Sequence, residues 1–152
     1  MVRSSPLLAD PRPAAQIERA GFVLNLDCDQ RVGHALVCVD IDSFAQIMIN
    51  LVDNALKFSA KAERKIIDLA CRRLSAGGIQ FSVRDYGPGV PRDQMKRIFR
   101  LFYRSENELT RETVGTGIGL ALVHQLAGTM QAQVDVVDRE PGVEFQVTFP
   151  AH

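Results

Sequence analysis

The feature that most constrains the fold is a change of apolar period between residues 42 and 58. In this segment apolar side chains recur at spacings of three and four, which is typical of one face of an α-helix. The residues that share this face are Phe44, Ile47, Met48, Leu51, Ala55 and Phe58. Asp42 or Ser43 can cap the start of the helix. Because such a face must be buried, the segment predicts a helix layer packed on a second layer.

The runs around this helix are typical of β-strands. Residues 65–73 and 79–85 are two β-type runs separated by a Ser-Ala-Gly-Gly turn, which predicts a hairpin. The runs at 22–26 and 35–39 predict a second hairpin or two neighbouring strands. The second layer is therefore a sheet.

The C-terminal half continues this alternation. Pro91 is suited to the first turn of a short helix that ends near Phe99. Residues 115–127 predict a helix that starts at glycines, and residues 134–137 and 143–149 predict the last two strands. We expect an α+β fold, a two-layer α/β sandwich in which about three helices cover one face of a mixed sheet of about five strands.

Length and charge indicate one globular domain without a general affinity for polyanions. The proline-containing residues 1–13 predict a tail or the remnant of a linker, and residues 14–152 the domain. Eighteen basic residues balance eighteen acidic ones, so no overall field attracts nucleic acid. No apolar run is long enough for membrane insertion. The cysteines are odd in number and form no C-x-x-C pair, which favours reduced thiols in a cytoplasmic domain.

Three short segments carry residues suited to binding chemistry. Asn50, Asn54 and Lys57 share a second face of the 42–58 helix, where amide oxygens suit a hard cation and an ammonium suits a phosphate. The strand at 79–85 ends in DYGPG, where a carboxylate and two glycines suit close approach of a ligand. The glycine-rich GTGIGL segment enters a helix and offers backbone N–H groups to phosphate. Taken singly, each is equally compatible with a solvated helix face, a tight turn and a hinge, respectively.

Together these segments resemble the sequence boxes of one family. The chain carries, in order, NLVDNALKFS (50–59), DYGPG (85–89), FRLFYR (99–104) and GTGIGL (115–120). They are similar to the asparagine, first-glycine, phenylalanine and second-glycine boxes of the sensor histidine kinase catalytic and ATP-binding domain, a member of the ATPase superfamily that includes gyrase, Hsp90 and MutL. The resemblance covers roughly residues 20–150 and implies a Bergerat-type ATP-binding fold.

The resemblance implies ATP and Mg²⁺ as cofactors and assigns roles to the asparagine box. Asn54 would ligate the Mg²⁺ that bridges the ATP phosphates, and Asn50 would lie beside it at the phosphate end. Lys57 would contact a phosphate oxygen, and Phe58 would pack near the nucleoside. Asn50 and Lys57 are the residues expected to take part in catalysis.

The remaining boxes would hold the base and the phosphates. Asp85 would accept from the adenine amino group, and Gly87 and Gly89 would make room for the base. Arg104, and with less support Arg111, would reach the phosphates from a lid. The other residues expected to contact the nucleotide are Val90, Gly115, Thr116, Gly117, Ile118, Gly119 and Leu120. Residues 92–111 hold six basic and three acidic residues, which suits a segment that closes over a polyanion.

The histidines do not supply the phosphoacceptor of a complete kinase. That motif is a histidine followed by an acidic residue, and His34, His124 and His152 all lack this context. The resemblance therefore implies a catalytic domain that does not autophosphorylate alone. Its expected partners are the dimerisation and phosphoacceptor domain of a parent kinase and, indirectly, a response regulator. We expect a monomeric fragment of a homodimeric parent, cytoplasmic even where the parent is anchored in the inner membrane.

Other functions of the same fold remain open from sequence. An autonomous ATPase is disfavoured because Asn50 stands where those relatives carry a glutamate base, and an amide cannot take a proton from water. An anti-sigma-factor-type serine kinase is disfavoured by the 99–104 box. A nucleotide-responsive docking module without transfer activity would carry the same binding residues.

Overall fold

In the computed structural model the described residues are 2–3, 11–28, 36–37, 41–75, 77–88, 118–139 and 141–150. Their elements are, in chain order, β1 (Val2–Arg3), α1 (Pro11–Arg19), β2 (Val23–Cys28), β3 (Leu36–Val37), α2 (Ile41–Phe58), β4 (Ile66–Arg73), β5 (Ile79–Asp85), α3 (Ile118–Thr129), β6 (Gln133–Asp138) and β7 (Val143–Phe149). The helices predicted from residue 42 and from residue 115 are present, although the description of the second begins at Ile118. The short helix predicted at 91–99 lies outside the described residues.

The main sheet has five strands in the order β2-β4-β5-β7-β6. β2 and β4 are parallel, and the other neighbours are antiparallel. The hairpin predicted between β4 and β5 is confirmed, with Arg73 opposite Ile79 and Ile67 opposite Asp85. The mixed sheet of the predicted α+β sandwich is therefore confirmed.

One face of this sheet forms the core with the helices. Alternate residues are buried along β7, and β4 shows the same pattern until its last two residues, as expected for strands with one covered face. Phe44 of α2 packs edge-on against Phe81 of β5, with ring centroids 4.7 Å apart. α2 also contacts α1 and α3, so it is the central helix of the layer. Its central place fixes where the polar side chains near its C-terminal end lie.

The prediction that the runs at 22–26 and 35–39 form a hairpin or two neighbouring strands is wrong. β2 pairs in parallel with β4, whereas β3 pairs with β1 in a separate two-stranded sheet. The physical reason is that parallel neighbours need a crossover connection, which is usually helical. α2 lies between β2 and β4 in the chain and fills that role. Apolar period identifies a strand but does not identify its partner.

The N-terminal helix was not expected from the sequence. α1 begins at Pro11, inside the segment predicted as a tail, and buries Pro13 and Ile17. The side-chain amide of Gln16 donates to the carbonyl oxygen of Ile49 in α2 at 3.4 Å. Prolines usually interrupt a helix. The first helical turn tolerates them because its N–H groups have no partner within the helix.

Candidate functional site

The two asparagines of α2 have their side-chain amides fixed by the helix itself. Asn54 Nδ2 donates to the carbonyl oxygen of Asn50 at 3.0 Å, and Asn50 Nδ2 donates to that of Gln46 at 2.9 Å. Asn54 is 8% exposed. Because each amide nitrogen is used as a donor, each side chain has its oxygen left as the acceptor. Neutral oxygen is a ligand type suited to Mg²⁺.

Lys57 lies one turn from these amides, at the surface. Its ammonium forms an ion pair with Asp53 at 2.9 Å, and the two side chains are 72% and 47% exposed. An exposed pair of this kind contributes roughly 0–1 kcal/mol. The pairing matches the solvated-face interpretation of this helix side.

The carboxylate of Asp85 is the most unusual polar group of the described residues. It is the last residue of β5 and has no exposed surface. Oδ1 accepts from the backbone N–H of Gly87 at 2.9 Å, whereas Oδ2 is buried without a hydrogen-bond donor. Burial raises the pKa of Asp85, and the backbone N–H groups of Gly87 and Val143 and the charge of Arg84 offset this only in part. A buried acceptor without a donor suits a ligand that brings one.

Gly87 brings this turn against the C-terminal end of α2. A Cβ atom at position 87 would lie 2.7 Å from the carbonyl oxygen of Phe58 and 2.9 Å from the Cα atom of Ser59. The ring of Phe58 stacks on Phe145 of β7 with centroids 6.3 Å apart. The first-glycine box and the end of the asparagine box are therefore neighbours in space.

Two residues at this site were not singled out from the sequence. Ser59 is fully buried, and its hydroxyl donates to the carbonyl oxygen of Ala55 at 2.6 Å. Gly142 has φ +95°, and a Cβ atom there would lie 1.9 Å from the carbonyl oxygen of Asp85. The Pro-Gly pair at 141–142 signals a turn between strands, but that signal does not say what the turn packs against.

The structure describes only some of the other expected site residues. The backbone of Ile118, Gly119 and Leu120 forms the first turn of α3, which packs against α2. The expected contacts that lie outside the described residues are Gly89, Val90, Arg104, Gly115, Thr116 and Gly117. The described part of the chain holds no group of three His, Cys, Asp or Glu side chains that could bind a metal ion. Within it, no helix combines the length and the apolar character that crossing a membrane requires.

Comparison with known proteins finds relatives among sensor kinases. The adaptive-response sensory kinase SasA of Trichormus variabilis is 37% identical over 121 residues, which cover 77% of this chain and 29% of that protein. The signal transduction histidine-protein kinase/phosphatase MprB of Mycobacterium leprae is 33% identical over 105 residues, which cover 69% and 20%, respectively. The chain thus spans less than a third of the length of these two relatives.

Solved structures show the same fold. The catalytic domain of the histidine kinase ThkA superposes with a TM-score of 0.76 at 21% identity, covering 99% of this chain and 93% of that one. Full-length ShkA in complex with AMPPNP superposes with a TM-score of 0.70 at 28% identity, covering 99% and 31%. The family model described as "Histidine kinase-, DNA gyrase B-, and HSP90-like ATPase" matches residues 39–152. The chain therefore belongs to the histidine kinase-, DNA gyrase B- and HSP90-like ATPase family.

Proposed function

We propose that this domain binds Mg-ATP and that Asp85 recognises the adenine. The observation that carries the proposal is the Oδ2 atom of Asp85, which is buried without a donor beside a turn that presses on α2. The exocyclic amino group of adenine is a donor that would satisfy this atom. Guanine presents a carbonyl oxygen at the corresponding position, so its approach to the same carboxylate would be repulsive.

The phosphates and their metal would lie along the side of α2 that carries Asn50, Asn54 and Lys57. The amide oxygen of Asn54 fits a cation that keeps most of its other ligands as water and phosphate, and Asn50 lies one turn away. When bound, Mg²⁺ would neutralise charge on the phosphates. Lys57 would exchange Asp53 for a phosphate oxygen. Backbone N–H groups of Gly115–Gly119 would add donors at the start of α3.

We further propose that the domain donates the γ-phosphate to a histidine on a dimerisation domain of the same kinase. Phosphoryl transfer needs positioning and charge neutralisation more than covalent chemistry from the protein. Asn50 cannot act as a base toward water, which favours slow hydrolysis and leaves the nucleotide for an external acceptor. The names of the sensor-kinase relatives support this function. No observation favours the docking module or the serine kinase.

The proposed setting follows from this role. The domain would act in the cytoplasm as one part of a homodimeric two-component kinase, and a response regulator would receive the phosphate from the histidine. The relatives' greater length supports further domains in the parent protein.

Labelled ATP tests the transfer. We expect the domain alone to release phosphate very slowly and to carry no label from [γ-³²P]ATP. Addition of the purified acceptor domain of the same kinase should give acid-labile label on that domain, at low efficiency because the tether is absent. Asp85→Asn is the matched inactive control. Rapid hydrolysis by the domain alone would favour an autonomous ATPase, and an unlabelled acceptor despite measured ATP binding would favour the docking module.

A further inference from the structure

Tyr86 is held in a cluster of charged side chains directly beside the proposed adenine site. Its hydroxyl donates to Oδ2 of Asp68 in β4. The guanidinium carbons of Arg64 and Arg84 lie 4.6 and 4.5 Å from the centroid of its ring. We call Asp68, Tyr86, Arg64 and Arg84 the tyrosine clamp.

The clamp lies on the sheet face away from the helices. Along β4, Ile67 and Leu69 are buried in the core, so Asp68 between them points to the opposite face. Asp68 is also the register partner of Arg84, which precedes the inward-facing Asp85. The clamp therefore fastens the end of β5 from the side opposite the nucleotide.

The hydrogen bonds of the clamp join different elements. Oδ1 of Asp68 accepts from the side-chain amide of Asn25 in β2 at 3.1 Å, while its Oδ2 accepts from Tyr86. A guanidinium nitrogen of Arg84 donates to the carbonyl oxygen of Pro141 at 3.3 Å. The hydrogen bond to Asp68 and, to a smaller extent, burial raise the pKa of Tyr86. The phenol therefore stays a donor at neutral pH. These contacts connect β2, β4 and β5 with the β6–β7 turn.

We propose that Tyr86 is a positioning residue for the carboxylate of Asp85, an inference that rests on the proposed adenine site. Tyr86 is the residue between Asp85 and Gly87, and the N–H of Gly87 holds Oδ1 of Asp85 at 2.9 Å. Fastening the Tyr86 side chain to β4 fixes the backbone of this turn. The N–H donor then keeps Oδ1 in place and leaves Oδ2 aimed at the ligand. Without the clamp, the turn can rotate and the carboxylate loses its single orientation.

The test measures affinity for Mg-AMPPNP and for the guanine analogue Mg-GMPPNP by calorimetry. Tyr86→Phe keeps the ring over the arginines and removes only the hydroxyl. We expect it to weaken AMPPNP binding about five- to tenfold and to leave the weak GMPPNP binding unchanged. Asp68→Ala also removes the hydrogen bond from Asn25, so it should weaken AMPPNP binding at least as much. The double variant should lose no more than Asp68→Ala alone, because both single variants remove the hydrogen bond between Tyr86 and Asp68. Asp68→Asn, which retains an acceptor, should rescue most of the loss.

Gly21→Ala is the control for stability, because it strains the backbone away from the site. It should lower the melting temperature without changing the ratio of the two affinities. Equal losses for both nucleotides in Tyr86→Phe, or no loss, would overturn the positioning role. If Asp85→Asn still reduced AMPPNP binding selectively, the proposed adenine site would survive that result. Unchanged AMPPNP binding by Asp85→Asn would overturn both.

Discussion

Gly87 lies so close to Phe58 that a Cβ atom at position 87 would stand 2.7 Å from the Phe58 carbonyl oxygen. The same atom would stand 2.9 Å from the Cα atom of Ser59. Both neighbours are backbone atoms near the C-terminal end of α2, so neither can move like the tip of a flexible side chain. The turn that follows Asp85 can therefore pack against the end of α2 only because residue 87 has no side chain.

Gly87→Ala is accordingly expected to lower the free energy of unfolding by about 1–3 kcal/mol, because the turn or the helix end must shift. Nucleotide affinity should fall further than stability alone explains, since the shift moves Asp85 relative to α2. Gly128→Ala is the matched control, because nothing lies within 4 Å of its Cβ position in α3. That helix substitution should stabilise the chain by about 0.5–1 kcal/mol. Urea unfolding measures both, and equal effects would contradict the close contact.

Comparison of Gly142→Ala with Gly21→Ala distinguishes the cost of backbone strain from the cost of a steric contact with Asp85. Both glycines have positive φ, +95° and +80°, so alanine at either is disfavoured by about 1 kcal/mol. Only at Gly142 would the new Cβ meet the carbonyl oxygen of Asp85, at 1.9 Å. We expect Gly142→Ala to be the more destabilising by at least about 1–3 kcal/mol, and to weaken AMPPNP binding. Equal melting temperatures for the two variants would show that the β6–β7 turn does not press on Asp85.

The parts of the site that could be predicted from sequence are those encoded by local pattern. Apolar spacing located α2, and residue type located Asn54 and Asp85 along the chain. The packing of the β6–β7 turn on Asp85 could not be predicted, because a Pro-Gly pair specifies a turn without specifying its neighbours. The parallel pairing of β2 with β4 was missed because local pattern does not show that α2 acts as the crossover between these two strands.

Asp85 should make stability depend on pH. Burial raises its pKa above the ordinary value of 3.8, so the folded state holds this proton more tightly than the unfolded chain does. The stabilisation is complete below pH 3.8 and is lost as the pH rises through the raised pKa. Asp85→Asn cannot titrate, so its free energy of unfolding relative to the wild type should increase with pH over this window.

Urea unfolding at a series of pH values measures that difference. Asp27→Asn, at an exposed position of β2, controls for the loss of one carboxylate. A constant difference between Asp85→Asn and the wild type would contradict the raised pKa. Saturating Mg-AMPPNP should shift the wild-type curve toward stability at higher pH, because the adenine amino group stabilises the ionised carboxylate.

Asn54→Ala should weaken nucleotide binding only when the metal is present. We expect about tenfold weaker AMPPNP binding with Mg²⁺ and little change with EDTA, because the amide oxygen acts on the nucleotide through the cation. Gln125→Ala, at an exposed position of α3, is the control and should bind as the wild type does in both conditions. Equal loss with and without Mg²⁺ would point to a direct contact between Asn54 and the nucleotide.

Selection of adenine by Asp85 is tested by comparing the affinities of two nucleotides. Mg-AMPPNP and Mg-GMPPNP are titrated by calorimetry into the wild-type domain and into Asp85→Asn, with circular dichroism to confirm that the variant is folded. We expect saturable AMPPNP binding by the wild type, at least about tenfold weaker GMPPNP binding, and loss of that preference in Asp85→Asn. Equal affinity for the two nucleotides in the wild type, or an unchanged preference in the folded variant, would contradict the selection of adenine by Asp85.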